Sequence, residues 1–309
     1  MSAKKFSKLV DLPSVLLLVD NPGWAFDFSA HATVKHLERS FDFQIAYVGQ
    51  QPKLNPGDYD CVIVYFWGET YHQRFGFEKE RVIKCVASHR WAYEAKFGML
   101  TPHEAVKRYL QDAGTIACVS QRLKAIFNPL HPRVMYMPDG VDMELFHTTR
   151  RREGEMIVGW AGYGPDSGKG FKDILEPACR DRYAFKAALG NVPRSGMNDF
   201  YNSLDIIAIA SVHEGQPMPL IEGMAAGCFP VTVDVGIVPE VIRHKENGYI
   251  VEGRTIEAFR SAFGWCEDNL DYVRAAAEQN STHIRDHRSS RCMATYTRQV
   301  LDSVINRHR

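Results

Sequence analysis

Short apolar runs alternate along this chain with amphipathic stretches, and each run ends in a polar or glycine-containing loop. That alternation predicts βαβ units wound around parallel sheets. In the first half, strands are expected at Ser14–Val19, Gln44–Val48, Cys61–Phe66, Lys84–Ala87, Thr115–Val119 and Val134–Met137. Helices are expected between them at Ala30–Arg39, His103–Gln111 and Arg122–Phe127. The pattern restarts with strands at Met156–Trp160, Ala184–Leu189, Ile206–Ala210, Phe229–Val233 and Tyr249–Val251. Helices there are expected at Gly170–Leu175, Met197–Asn202, Leu220–Ala226 and Pro239–Arg243. The polar run His147–Glu155 lacks apolar periodicity and reads as a solvated linker. It divides the chain into a Rossmann-like unit at 1–150 and a second at 151–289. Met293, Tyr296, Val300, Leu301 and Val304 recur at helical spacing, which predicts a closing amphipathic helix at about 290–309. The working architecture is α/β, two such units facing each other across a cleft.

Composition narrows the function classes. Of 309 residues, 37 are basic and 37 acidic, so no global field favours nucleic acid or an anionic membrane. The longest clean apolar runs, Val15–Val19 and Cys61–Trp67, are too short to span a bilayer. The lysines of Met1–Leu9 are not followed by an apolar segment of signal-peptide length. Seven cysteines are scattered without a C-x-x-C pair, which suits free thiols in a reducing, cytoplasmic setting.

The chemistry concentrates in Ser211–Glu252. A buried strand is expected to run into a loop holding Glu214, Gly215, Gln216, Pro217 and Met218, followed by a helix beginning at Pro219 with Glu222 in its first turn. Ligands of open α/β sheets gather beyond the carboxyl ends of strands, where this loop must lie. Free N–H groups at the helix start, near Leu220 and Ile221, suit a phosphate. A carboxylate accepts paired hydrogen bonds from vicinal hydroxyls, so Glu214 and Glu222 suit a ribose or a hexose. On spacing alone, two structural glutamates, one serving the helix dipole, fit as well. Upstream, Gly159–Phe171 is glycine-rich but completes neither G-x-G-x-x-G, since Ser167 stands at the third glycine, nor Walker A, since Gly170 follows Lys169.

With these residues in view, the segment resembles the donor-sugar signature of glycosyltransferase family 4, whose E-x7-E element is matched by Glu214 and Glu222. Four further pieces agree in order. Asn198–Ala210 is similar to the helix-strand unit before the signature, and Thr115–Arg122 to the strand and "V-S" turn before the crossover. Met137–Phe146 is similar to an interdomain "P-N-G-V-D" element, with Asp139 in place of asparagine. Gly159–Phe171 resembles the first loop of the nucleotide domain, with Lys169 at the diphosphate-binding lysine. Trp160 and Ala161 occupy the region where the family adds an arginine, leaving one diphosphate contact unaccounted for.

The resemblance implies a GT-B fold and a retaining transferase that moves a sugar from a UDP- or GDP-linked donor. It implies that Glu222 holds the ribose hydroxyls, Lys169 the diphosphate, and Glu214 a donor-sugar hydroxyl, helped by Gln216, Pro217, Met218 and Leu220. His89 would face the sugar, and Gly23, in the loop after the first strand, would lie under the diphosphate. If Lys169 and the helix N–H groups carry the phosphate charge, neither a metal nor a cofactor beyond the nucleotide sugar is expected. Glu69 and His72 read as a solvated loop near the acceptor side, and Asp27 and His31 take no role. The acceptor is not legible; a glycan, lipid-linked glycan or other large molecule is expected, and peripheral contact at the inner face of a membrane stays open. The alternatives are a catalytically silent nucleotide-sugar-binding subunit, or a hydrolase or epimerase of the same fold.

Overall fold

In the computed structural model, which describes residues 12–149 and 152–307, the chain forms two parallel sheets. The first contains β1 (Ser14–Val19), β2 (Asp42–Tyr47), β3 (Cys61–Val64), β4 (Val82–Val86), β5 (Thr115–Cys118) and β6 (Val134–Tyr136), in the order β2-β1-β3-β4-β5-β6. The second contains β7 (Ile157–Ala161), β8 (Ala184–Ala188), β9 (Ile206–Ile209), β10 (Phe229–Val233) and β11 (Tyr249–Val251), in the order β11-β10-β9-β7-β8. Central strands such as β1 and β3 are buried on both faces, hence their unbroken apolar runs. The edge strands β2 and β8 alternate exposed and more buried positions instead. Each sheet has one reversal of strand order, between β1 and β3 and between β7 and β9. Those two switch points are where open α/β sheets bind ligands.

Helices flank the first sheet as α1 (Ala25–Leu37), α2 (Arg90–Tyr93), α3 (Pro102–Ala105) and α4 (Gln121–Phe127). The second carries α5 (Glu176–Cys179), α6 (Met197–Asn202), α7 (Met218–Ala225), α8 (Val238–Val241), α9 (Ile256–Asp268) and α10 (Leu270–Arg288). The last helix, α11 (Ser290–Ile305), crosses back. Its Val300, Leu301 and Val304 are buried with Val15, Leu17 and Ile63 in the core of the first sheet. At the crossing, Ser290 N–H donates to Val141 O at 2.8 Å. A Cβ on Gly140 would lie 2.4 Å from Ser290 Cα, so only glycine fits that approach. Arg288 then joins Tyr136 of the first sheet to Glu240 of α8, at 2.6 and 3.2 Å.

Several elements differ from the sequence reading. Helix α1 begins five residues early, because the Asp27 carboxylate takes Gly23 N–H at 2.8 Å and closes the turn there. The 103–111 helix is regular only to Ala105 and then widens into π turns over Val106–Leu110. Phe171–Leu175 is also widened, just ahead of Pro177, whose ring and missing N–H disrupt the preceding turn. The 147–155 run is no free linker at its far end: Arg152 donates to the carbonyls of Tyr201, Ala226 and Gly227. Arg150 and Arg151, like Met1–Leu9, lie outside the described residues.

Candidate functional site

The loops after β7 and β9 leave the second sheet at its switch point and meet there. Lys169, in the β7 loop, places Nζ 2.5 Å from Glu214 Oε1 in the β9 loop. Ser211 Oγ donates to the same oxygen at 2.8 Å. Glu214 is mostly buried, whereas the Lys169 side chain is 32% exposed, so the pair is not sealed from solvent.

The first sheet closes over this loop from the opposite side. His89, just past β4 and its two following residues, sets Nδ1 3.1 Å from Glu214 O. A carbonyl only accepts, so Nδ1 carries the proton and Nε2 keeps its lone pair. Burial pushes the His89 pKa down to about 4, so the ring is neutral at physiological pH. The unfolded imidazole takes up its proton near pH 6.5 and the folded one only near 4, so stability falls as pH drops across that window. Urea midpoints at pH 7 and pH 5 should therefore differ less for His89→Gln than for the native chain; equal differences would remove His89 from that account.

Gly215 makes the tightest approach between lobes. A Cβ there would sit 2.2 Å from Ala87 O, and backbone cannot yield as a flexible side chain would. Gly215→Ala is expected to cost about 1–3 kcal/mol of stability, read from a denaturant midpoint. Gln216 locks the same contact: its amide donates to Asp139 O at 2.6 Å and accepts from Asp139 N–H at 3.2 Å.

Residues 187–282 of this arrangement match the family described as glycosyl transferases group 1. Two curated relatives, the D-inositol 3-phosphate glycosyltransferases of Mycobacterium ulcerans and Mycobacterium marinum, are each 26% identical over 122 residues. Those matches span 38% of this chain and 26% of the relatives, so about a quarter of their length is represented. Among solved structures, sucrose-phosphate synthase from Thermosynechococcus elongatus superposes with TM-score 0.70 at 12% identity, covering 96% of this chain and 100% of that one. Anabaena HepE in complex with UDP-glucose gives 0.69 at 14% identity, covering 94% and 99%. At such identities the likeness is one of fold, and the fold is GT-B.

Within residues 187–282, other expected site residues are arranged differently from the sequence reading. Helix α7 starts at Met218 after an extended Pro217, which puts Glu222 beyond the first turn rather than in it. Leu220 is fully buried and its N–H donates to Pro217 O at 3.0 Å, so it is not a free donor. Among the described residues, the amides of His213, Glu214, Gly215, Gln216 and Met218 have no hydrogen-bond acceptor in this loop. The Gln216 side chain, already on Asp139, is unavailable to a ligand. Glu222 does not touch Glu214 or Lys169. It is buried, accepting from Tyr201 OH at 3.0 Å and from Arg194 Nη1 at 3.2 Å. Burial raises its pKa, and the Arg194 guanidinium offsets part of that. Arg194 in turn lies over the Phe28 ring of α1, 4.1 Å from its centroid, and so reaches the other lobe.

In the first lobe, the Gly23 amide is held by Asp27 rather than free. Asp27 therefore has a part to play, accepting also from Tyr47 OH at 2.9 Å. His72 is buried, not solvated, and pairs with Asp112, which also neutralises the buried Lys84. Sequence reasoning missed Arg194, Tyr201 and Asp27. Arg194 had one available signal, an isolated arginine in the polar loop after β8. Among the described residues, no cluster of His, Cys, Asp and Glu is arranged to hold a metal ion, and no helix is long and apolar enough to cross a membrane.

Proposed function

We propose that this chain is a retaining glycosyltransferase, moving a sugar from a nucleoside-diphosphate sugar to an acceptor hydroxyl without a metal. The reading is carried by one observation: two loops at a switch point bring Lys169 against Glu214, with His89 of the other lobe on the same loop. In the reaction, the bond from the anomeric carbon to the diphosphate oxygen breaks and its electron pair stays on the diphosphate. The acceptor oxygen bonds to that carbon and passes its proton to the departing diphosphate oxygen. Lys169 offsets the leaving charge, while the open amides of Gly215, Gln216 and Met218 and the Glu214 carboxylate orient the sugar hydroxyls. Neutral His89 leaves a lone pair, rather than a second cation, beside the electron-poor ring. Glu222 holds the ribose, exchanging its Arg194 contact for the vicinal hydroxyls. Arg194, released, supplies a cation in the half of the site that lacks the family's arginine. UDP-glucose, the molecule held in the HepE complex, is the first donor to try.

A silent nucleotide-sugar-binding subunit is favoured by a separate observation: Lys169 and Glu214 neutralise each other, and Gly23 is occupied by Asp27. Single-turnover release of nucleotide, with and without acceptor extract, separates the two. Acceptor-stimulated release supports the transferase; binding without release in either condition supports the silent subunit.

A further inference from the structure

The reversal of strand order in the first sheet, between β1 and β3, has its own cavity of about 270 Å³. Its lining comes from the end of β1, from the segments after β1, β2 and β3, and from the segment that follows His89. It therefore adjoins the proposed donor-sugar position while belonging wholly to the other lobe. Four aromatic side chains line it: Trp24, Phe26, Phe66 and Phe97. Phe26 and Phe66 stack with centroids 6.5 Å apart, and Phe97 meets Phe66 edge-on at 5.9 Å. Trp24 is 60% exposed and plays no part in the contacts between the lobes or in the donor site.

The charged lining residues are Asp20, Glu69, Arg90 and Lys96. Both cations are already bridged by one carboxylate: Arg90 is bidentate to Glu94 at 2.5 and 3.0 Å, and Lys96 lies 3.1 Å from it. The acids are less committed. One oxygen of Asp20 accepts from Asn21 N–H, and one of Glu69 accepts from the amides of Thr70 and Tyr71. Their second oxygens have no hydrogen-bond partner among the described residues. The cavity thus offers apolar ring faces and spare carboxylate acceptors, with no uncommitted cation.

We propose that this cavity is the acceptor subsite and that it takes an uncharged pyranose ring. The inference rests on the glycosyltransferase reading for the word acceptor, but the sugar chemistry stands on the lining alone. A pyranose has one face of C–H groups, which packs on aromatic rings, and an equator of hydroxyls, which donate to carboxylates. A phosphorylated acceptor would meet Asp20 and Glu69 with both cations spoken for. The volume lies just under the roughly 300–1,000 Å³ of drug-sized sites, which suits one sugar ring rather than a lipid tail.

Saturation-transfer NMR on the full chain with UDP present tests this, using methyl glucoside, galactoside and mannoside against a hexose 6-phosphate and an alkyl phosphate. Transfer is expected to the ring protons of at least one methyl glycoside, exceeding that to either phosphate. Trp24→Ala should lower it by about fivefold and Trp24→Phe should largely keep it; circular dichroism checks that both variants fold. Heat-detected titration of the same samples with nucleotide sugars keeps the two readings apart. If a nucleotide sugar binds but no glycoside shows transfer, or a phosphate exceeds them, or Trp24→Ala changes nothing, the subsite is overturned. If glycosides bind through Trp24 and no nucleotide sugar binds at all, the sugar site stands and the transferase reading falls.

Discussion

Replacing Lys169 with alanine is expected to lower turnover by about 10²–10³-fold while leaving the fold intact. The two halves of that expectation come from different observations. The Lys169 side chain is 32% exposed, and an ion pair so placed contributes little to folding. Most of its value for turnover would arise as the sugar–phosphate bond breaks and negative charge builds on the departing diphosphate, with a smaller part already spent on holding the bound donor. A merely structural lysine would show the opposite pattern, with a shifted unfolding midpoint and unchanged turnover of the remaining folded protein. Lys169→Arg keeps the charge and should recover part of the loss. Single-turnover nucleotide release beside a thermal melt reads both quantities.

Glu222 is expected to divide the effects the other way. Glu222→Gln should weaken nucleotide-sugar binding by roughly 10–100-fold, the worth of hydrogen bonds to a charged group, with a smaller change in turnover of bound donor. The amide retains an acceptor for Tyr201 OH, which Glu222 holds at 3.0 Å. Glu222→Ala removes that partner too, leaving Tyr201 OH and the Arg194 guanidinium unsatisfied, and should cost a further 1–3 kcal/mol or so of stability. Equilibrium binding and denaturant midpoints on both variants check the split. Loss of turnover with unchanged donor affinity would remove Glu222 from the ribose.

How far the sequence was legible follows from how local each interaction is. β1 and β10 carry their burial in five or six consecutive residues, so their limits could be read directly. Glu214 and Lys169 were legible as chemistry because each sits on a loop immediately after a buried strand. Their mutual contact was not, because it depends on β7 and β9 lying side by side. Glu222 shows the limit more sharply: its partners Arg194 and Tyr201 lie 28 and 21 residues upstream and reach it only in three dimensions. Gly23 looked free because the residue that binds it, Asp27, belongs to a helix that starts earlier than the apolar pattern indicates. α9 and α10 went unassigned; along α10 the buried seam includes Ala276, Ala277, Asn280 and Ser281, too small or polar to mark a helical stripe. The interlobe positions, His89 on Glu214 O and Gln216 on Asp139, depend on how two separately patterned halves dock, which no local periodicity encodes.

Isothermal titration of the native chain, Lys169→Ala and Glu222→Gln with a panel of UDP- and GDP-sugars tests the central claim most directly. The account predicts saturable one-to-one binding of at least one nucleotide sugar, weakened in both variants. Binding of none, or binding equally tight in all three proteins, would contradict it.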